Sequence, residues 1–109
     1  MRKLTLNPCA VSLEINGAVY ELKLSDAEMM ALAQELSEKT RDVNAGDAGQ
    51  VMAASREVAL AIDRMLGDGA VSAISCGKPV GIRQLIRWYR LIHDEAMKAY
   101  FDNLVEAND

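Results

Sequence analysis

The chain is poor in the residues from which reactive and metal-binding sites are usually built. Aromatics make up 5% of its 109 residues, with one Trp, three Tyr and one Phe. That is too few for the stacking platforms of a single-strand nucleic-acid binder. A single histidine, His93, leaves any HExxH zinc helix without its second ligand and has no Ser or Cys nucleophile motif to serve. Cys9 and Cys76 form no CxxC and lie away from His93, so no zinc site is spelled out. They are expected to be reduced thiols used as small apolar residues. No apolar run approaches the ~20 residues that a helical membrane span requires. Cations are the minority charge, 12 Lys+Arg against 16 Asp+Glu, and the net charge of −4 opposes general affinity for nucleic acid. Met1-Arg2-Lys3 opens like a signal peptide, but Asn7 and Pro8 interrupt the apolar segment such a peptide needs. A cytoplasmic location is therefore expected.

Half the residues are hydrophobic, which excludes an intrinsically disordered chain. Sixteen of them are Ala, so the core must come mainly from Leu, Val, Ile and Met. The length suits one domain spanning residues 1–109. Val11, Leu13 and Ile15, then Val19, Tyr20, Leu22 and Leu24, are interleaved with polar residues around Asn16-Gly17. Asn-Gly is favoured at the centre of a type I′ turn because both positions need positive φ. A hairpin over about residues 10–24 is predicted, pairing Val11–Ile15 with Ala18–Leu22. Two strands alone are marginal in water, so the hairpin must pack on something.

Ser25-Asp26-Ala27-Glu28 has the form of a capping box and opens a helix over about 26–41 with Met29, Leu32, Ala33 and Leu36 on one side. Asn44–Gly49 breaks the period. A second helix, about 48–66, carries Val51, Ala54, Ser55, Val58, Ile62, Met65 and Leu66 inward and Leu60 outward. Gly67-Asp68-Gly69 stops it, a short helix follows over 69–75, and Cys76-Gly77-Lys78-Pro79 ends that in turn. Lys78 is followed by Pro79 rather than Ser or Thr, which removes a phosphate-binding P-loop from consideration. The last helix, about 80–106, carries a stripe of Ile82, Leu85, Ile86, Tyr89, Ile92, His93, Ala96, Tyr100 and Leu104. The predicted class is α+β, predominantly α: an N-terminal β-hairpin packed on a small helical bundle with a long C-terminal helix.

Two features of that helix point to contact rather than chemistry. Arg83, Arg87 and Arg90 recur on one side while Asp94, Glu95, Asp102 and Glu106 come later, an order that opposes the helix dipole. The strip serves either as a solvated face salt-bridged to the first two helices or as a contact for an acidic or helical partner. Trp88 and Leu91 lie roughly 100–180° from the core stripe, so one face cannot bury both sets. Either the helix is buried nearly all round, or Trp88 and Leu91 form an exposed patch of the Trp-with-Arg composition typical of interface anchors. Arg83, Arg87, Trp88, Arg90 and Leu91 are thus the candidate protein-contact residues, with no catalytic, metal or cofactor residues proposed.

The run Ala61-Ile62-Asp63-Arg64-Met65-Leu66-Gly67-Asp68-Gly69-Ala70-Val71-Ser72-Ala73-Ile74, then Gly77-Lys78-Pro79 and a long terminal helix, resembles the small tail assembly chaperones of long-tailed bacteriophages and prophages. In that family a helix ends in Leu-Gly-Glu/Asp-Gly-Ala, a short helix ends in Ile, and a proline precedes the terminal helix. The resemblance implies a non-enzymatic protein of the bacterial host cytoplasm. It would coat the tape-measure protein and recruit tail-tube protein during tail morphogenesis, often beside a longer frameshifted form. Leu66-Gly67-Asp68-Gly69 reads as structural, a helix stop and reversal. Two other readings stay open: a small nucleic-acid-binding regulator using the Arg83/Arg87/Arg90 helix, and a structural tail component. Self-association as a homo-oligomer is compatible with all three.

Overall fold

The computed structural model describes residues 11–107, with side chains through Asp102. Cys9, and the side chains of Leu104 and Glu106, lie outside the described residues. Two strands, β1 (Ser12–Ile15) and β2 (Ala18–Glu21), are followed by four helices: α1 (Asp26–Thr40), α2 (Ala48–Leu66), α3 (Ala70–Ile74) and α4 (Ile82–Ala107). The predicted α+β, mainly helical architecture is what forms.

The hairpin follows from its turn. Asn16 and Gly17 both take positive φ, 52° and 82°, and set Ile15 opposite Ala18, Leu13 opposite Tyr20 and Glu14 opposite Val19. Past the ladder, the Leu22 N–H donates to the Val11 carbonyl at 2.8 Å. Because side chains alternate faces with period two, this register groups Val11, Leu13 and Ile15 with Tyr20 and Leu22 on the inner face. Val19 falls outward and is 72% exposed, a correction to its place in the apolar alternation. The hairpin does pack on something: Lys23 N–H donates to the Met65 carbonyl at 2.8 Å, and Val11 and Leu22 are buried in the common core.

The capping box forms as predicted. Ser25 Oγ accepts from the Glu28 N–H and Glu28 Oε1 accepts from the Ser25 N–H, both at 3.2 Å. Asp47 caps α2 in the same way, accepting from the Gln50 N–H at 3.2 Å. Met29, Leu32 and Leu36 of α1 meet Val58, Ala61, Ile62, Met65 and Leu66 of α2 and Leu85, Tyr89, Ile92 and Ala96 of α4. Met29, Val58, Ile62 and Met65 are the largest side chains wholly removed from solvent, each contributing roughly 1.5–3 kcal/mol by burial. Leu60 is 57% exposed, on the outer side as its phase requires.

The α2–α3 reversal depends on a residue the periodicity did not single out. Asp63 sits one turn before the end of α2, and its main-chain carbonyl accepts from the Gly67 N–H at 2.7 Å. Its carboxylate then accepts from the Gly69 N–H at 3.2 Å and the Val71 N–H at 3.0 Å. Gly67 and Gly69 take φ of 118° and 83°, which lets the chain turn back onto that carboxylate. Cys76, expected to be an apolar filler, is instead exposed at the turn after α3, with φ of 55°. α4 begins at Ile82 rather than 80, because the Gly81 carbonyl is the acceptor of its first bond, from the Leu85 N–H at 3.0 Å.

Candidate interaction surface

α4 is held at one rotational setting by its core side and two polar tethers. Leu85, Tyr89, Ile92 and Ala96 are buried, with Ile82, Ile86, Met97 and Tyr100 half-buried beside them. His93 Nε2 lies 3.2 Å from the Met29 carbonyl of α1, so that nitrogen carries the proton and donates. The Tyr100 hydroxyl donates to the Leu24 carbonyl after the hairpin. The single histidine is therefore a half-buried structural tether, packed beside Tyr89 with ring centroids 5.6 Å apart.

With that setting the remaining face of α4 points away from the bundle. Arg83, Arg87 and Arg90 are all exposed. Leu91 is 55% exposed and Trp88 half-buried, so the helix is not buried all round. Trp88 and Leu91 form one wall of an apolar groove of about 430 Å³, which the hairpin completes with Leu13 and Ile15. Ile74 of α3 and Ile92 of α4 also line it, and Glu14 and Glu95 supply its acidic lining. The two candidate apolar residues are thus brought together, and the arginines run along the outer edge of the same helix. The hairpin side of the groove was missed from sequence. The only signal for it was that Trp88 and Leu91 lay off the core stripe and needed a neighbour.

The salt bridges to α1 and α2, one of the two readings of the arginine strip, do not form. Among the described residues no carboxylate lies within ion-pair reach of Arg83, Arg87 or Arg90. The acidic groups of α1 and α2 are engaged with cations of their own. Lys39 bridges Glu35 at 3.0 Å and Glu57 at 3.3 Å, and Arg64 reaches Glu35 at 3.2 Å. Hydrogen bonds from Lys39 and then Arg64 hold the Glu35 carboxyl below its ordinary range, and those to Glu35 and Glu57 raise the Lys39 ammonium. On α4 itself Lys98 pairs with Glu95 at 3.5 Å, both well exposed.

Among the described residues no His, Cys, Asp or Glu side chains gather in threes as a metal centre would need, and no helix is long and apolar enough to cross a membrane. No family model matches the chain, nor does any curated protein or solved structure.

Proposed function

We propose that this protein is a non-enzymatic tail assembly chaperone of a long-tailed phage or prophage, binding the tape-measure protein and recruiting tail-tube protein in the host cytoplasm. The observation that carries the reading is the outer face of α4. Three arginines without an ion-pair partner among the described residues lie exposed on α4, and Trp88 and Leu91 of the same helix wall an apolar groove. Unpaired guanidinium groups on the same helix as an apolar groove suit a long helical partner, since they supply planar donors and the groove supplies desolvation. The resemblance of Leu66-Gly67-Asp68-Gly69-Ala70, Ile74 and Pro79 to the family's pattern supports the same reading.

The test begins at the gene. A long, helix-rich reading frame immediately downstream, with a slippery sequence near this gene's stop codon, is expected; an unrelated metabolic neighbourhood overturns the proposal. Co-expression with that downstream protein should keep it soluble and in complex, and Arg83→Glu with Arg90→Glu should lower recovery of the complex about tenfold. The same arginine strip favours nucleic acid as the second reading. Salt-dependent retention of duplex DNA in filter binding, lost in the same double variant, would replace the chaperone assignment.

A further inference from the structure

We infer that the Trp88/Leu91 face of α4 pairs antiparallel with the same face of a second copy of this chain, forming a two-fold symmetric dimer. Leu91 is a large apolar side chain left 55% exposed at the mouth of the groove, with half-buried Trp88 one turn before it. At the 3.6-residue helical repeat, Arg87, Leu91 and Glu95 follow one another along a single i±4 row. Arg87 lies four residues before Leu91 and Glu95 four after. A two-fold axis at Leu91 with antiparallel helices therefore places Arg87 of each copy against Glu95 of the other, twice per dimer. Parallel pairing would set Arg87 against Arg87 and Glu95 against Glu95, so the charges select the antiparallel arrangement.

The rest of the seam contains no clash of sign. Gln84 comes level with Lys98 of the second copy, while Trp88 and Asp94, about 60° to either side of Leu91, fall on opposite edges of the seam. Leu91 packs on Leu91 across the axis and is withdrawn from water together with Trp88. Glu95 is free to exchange partners, because its contact with Lys98 is long, 3.5 Å, and exposed. Arg87 has no partner to give up among the described residues. Arg83 and Arg90 lie roughly 80–100° round the helix from Leu91. They stay open beside the seam for the chaperone's partner, whereas the Trp88/Leu91 face is covered in the dimer, so there the second copy and a tape-measure protein are alternative occupants.

The experiment is sedimentation equilibrium on the full chain over a range of micromolar to millimolar concentration. The mass is expected to rise from 11.9 kDa toward twice that value as concentration increases. Arg87→Glu and Glu95→Arg should each weaken the dimer about tenfold, and the two together should restore it. Leu91→Glu should abolish it with helicity by circular dichroism unchanged, since the residue is not part of the core. The charge variants separate a specific seam from general repulsion. Arg87→Glu makes the acidic chain more acidic and Glu95→Arg makes it less so, so a general effect would move them in opposite directions. A mass of 11.9 kDa at every concentration overturns the inference. So does a dimer indifferent to Leu91→Glu, or a charge-swapped double variant no tighter than the singles. The measurement uses this protein alone, so it succeeds or fails independently of co-purification with a tape-measure protein.

Discussion

At the scale of single residues, Asp63 and Tyr89 illustrate opposite ways of handling a polar group. Asp63 is worth more than its surface position suggests, because one carboxylate satisfies two N–H groups of the α2–α3 reversal, those of Gly69 and Val71. Hydrogen bonds to a charged acceptor contribute more than neutral ones, so Asp63→Ala should cost about 2 kcal/mol in urea unfolding with an unchanged m-value. Tyr89 is the reverse case: its buried hydroxyl has no hydrogen-bond partner among the described residues. Tyr89→Phe keeps the ring and removes the orphan, and should leave stability unchanged or raise it by about 1 kcal/mol. Burial also raises the Tyr89 hydroxyl above its ordinary value of 10.0. Below that value both folded and unfolded chains keep the proton, and the residue contributes no pH dependence. Above it the unfolded chain loses the proton first, so folded stability falls as pH rises. Thermal melts between pH 9 and 11 should show a shallower decline for the Phe variant than for the native chain.

Among the elements, those governed by short-range chemistry were legible in advance. The Asn16-Gly17 turn set the hairpin register, Ser25 and Glu28 set the start of α1, and Gly67 set the end of α2. Each is decided by two to four adjacent residues whose backbone preferences no distant contact overrides. A Cβ on Gly17 would meet nothing within 4 Å, so the cost of Gly17→Ala is conformational alone. With φ at 82°, that cost should be about 1 kcal/mol, measured by urea melting against the native chain. Less legible were features that depend on a return of the chain. Val19 belonged to the apolar alternation but not to the inner face, since the two-residue turn fixed which parity points inward. Asp63 gave no periodic signal because its partners are reached only after the chain reverses at Gly67.

For the molecule as a whole, charge is distributed by helix pair rather than averaged. The outer side of α1 and α2 is closed by Lys39, Glu35, Glu57 and Arg64 pairing among themselves, which leaves the arginines of α4 without carboxylates from that side. This polarity makes α4 the surface with unspent donors and apolar area together. Pairing of Arg87 with Glu95 across a dimer would be exposed to solvent at the seam's rim. Added salt should therefore weaken that dimer several-fold without dissolving its Leu91 contact, a dependence sedimentation in rising NaCl would read directly.

The candidate contact residues divide along the same line. Their identities and phase on the helix, with Arg83, Arg87 and Arg90 on one side and Trp88 and Leu91 off the core stripe, were present in the sequence, because a helix places side chains at fixed angles whatever it packs against. Whether those arginines found partners, and what stood beside Trp88, was decided only by the tertiary structure. α1 and α2 had their own cations to satisfy, and the hairpin docked Leu13 and Ile15 beside Trp88 to form the groove. The elements and the faces they present follow from local torsions and helical period, which adjacent residues fix on their own. Which faces are covered rests on contacts between residues as far apart as Leu24 and Tyr100. Those depend on the summed packing of the whole chain.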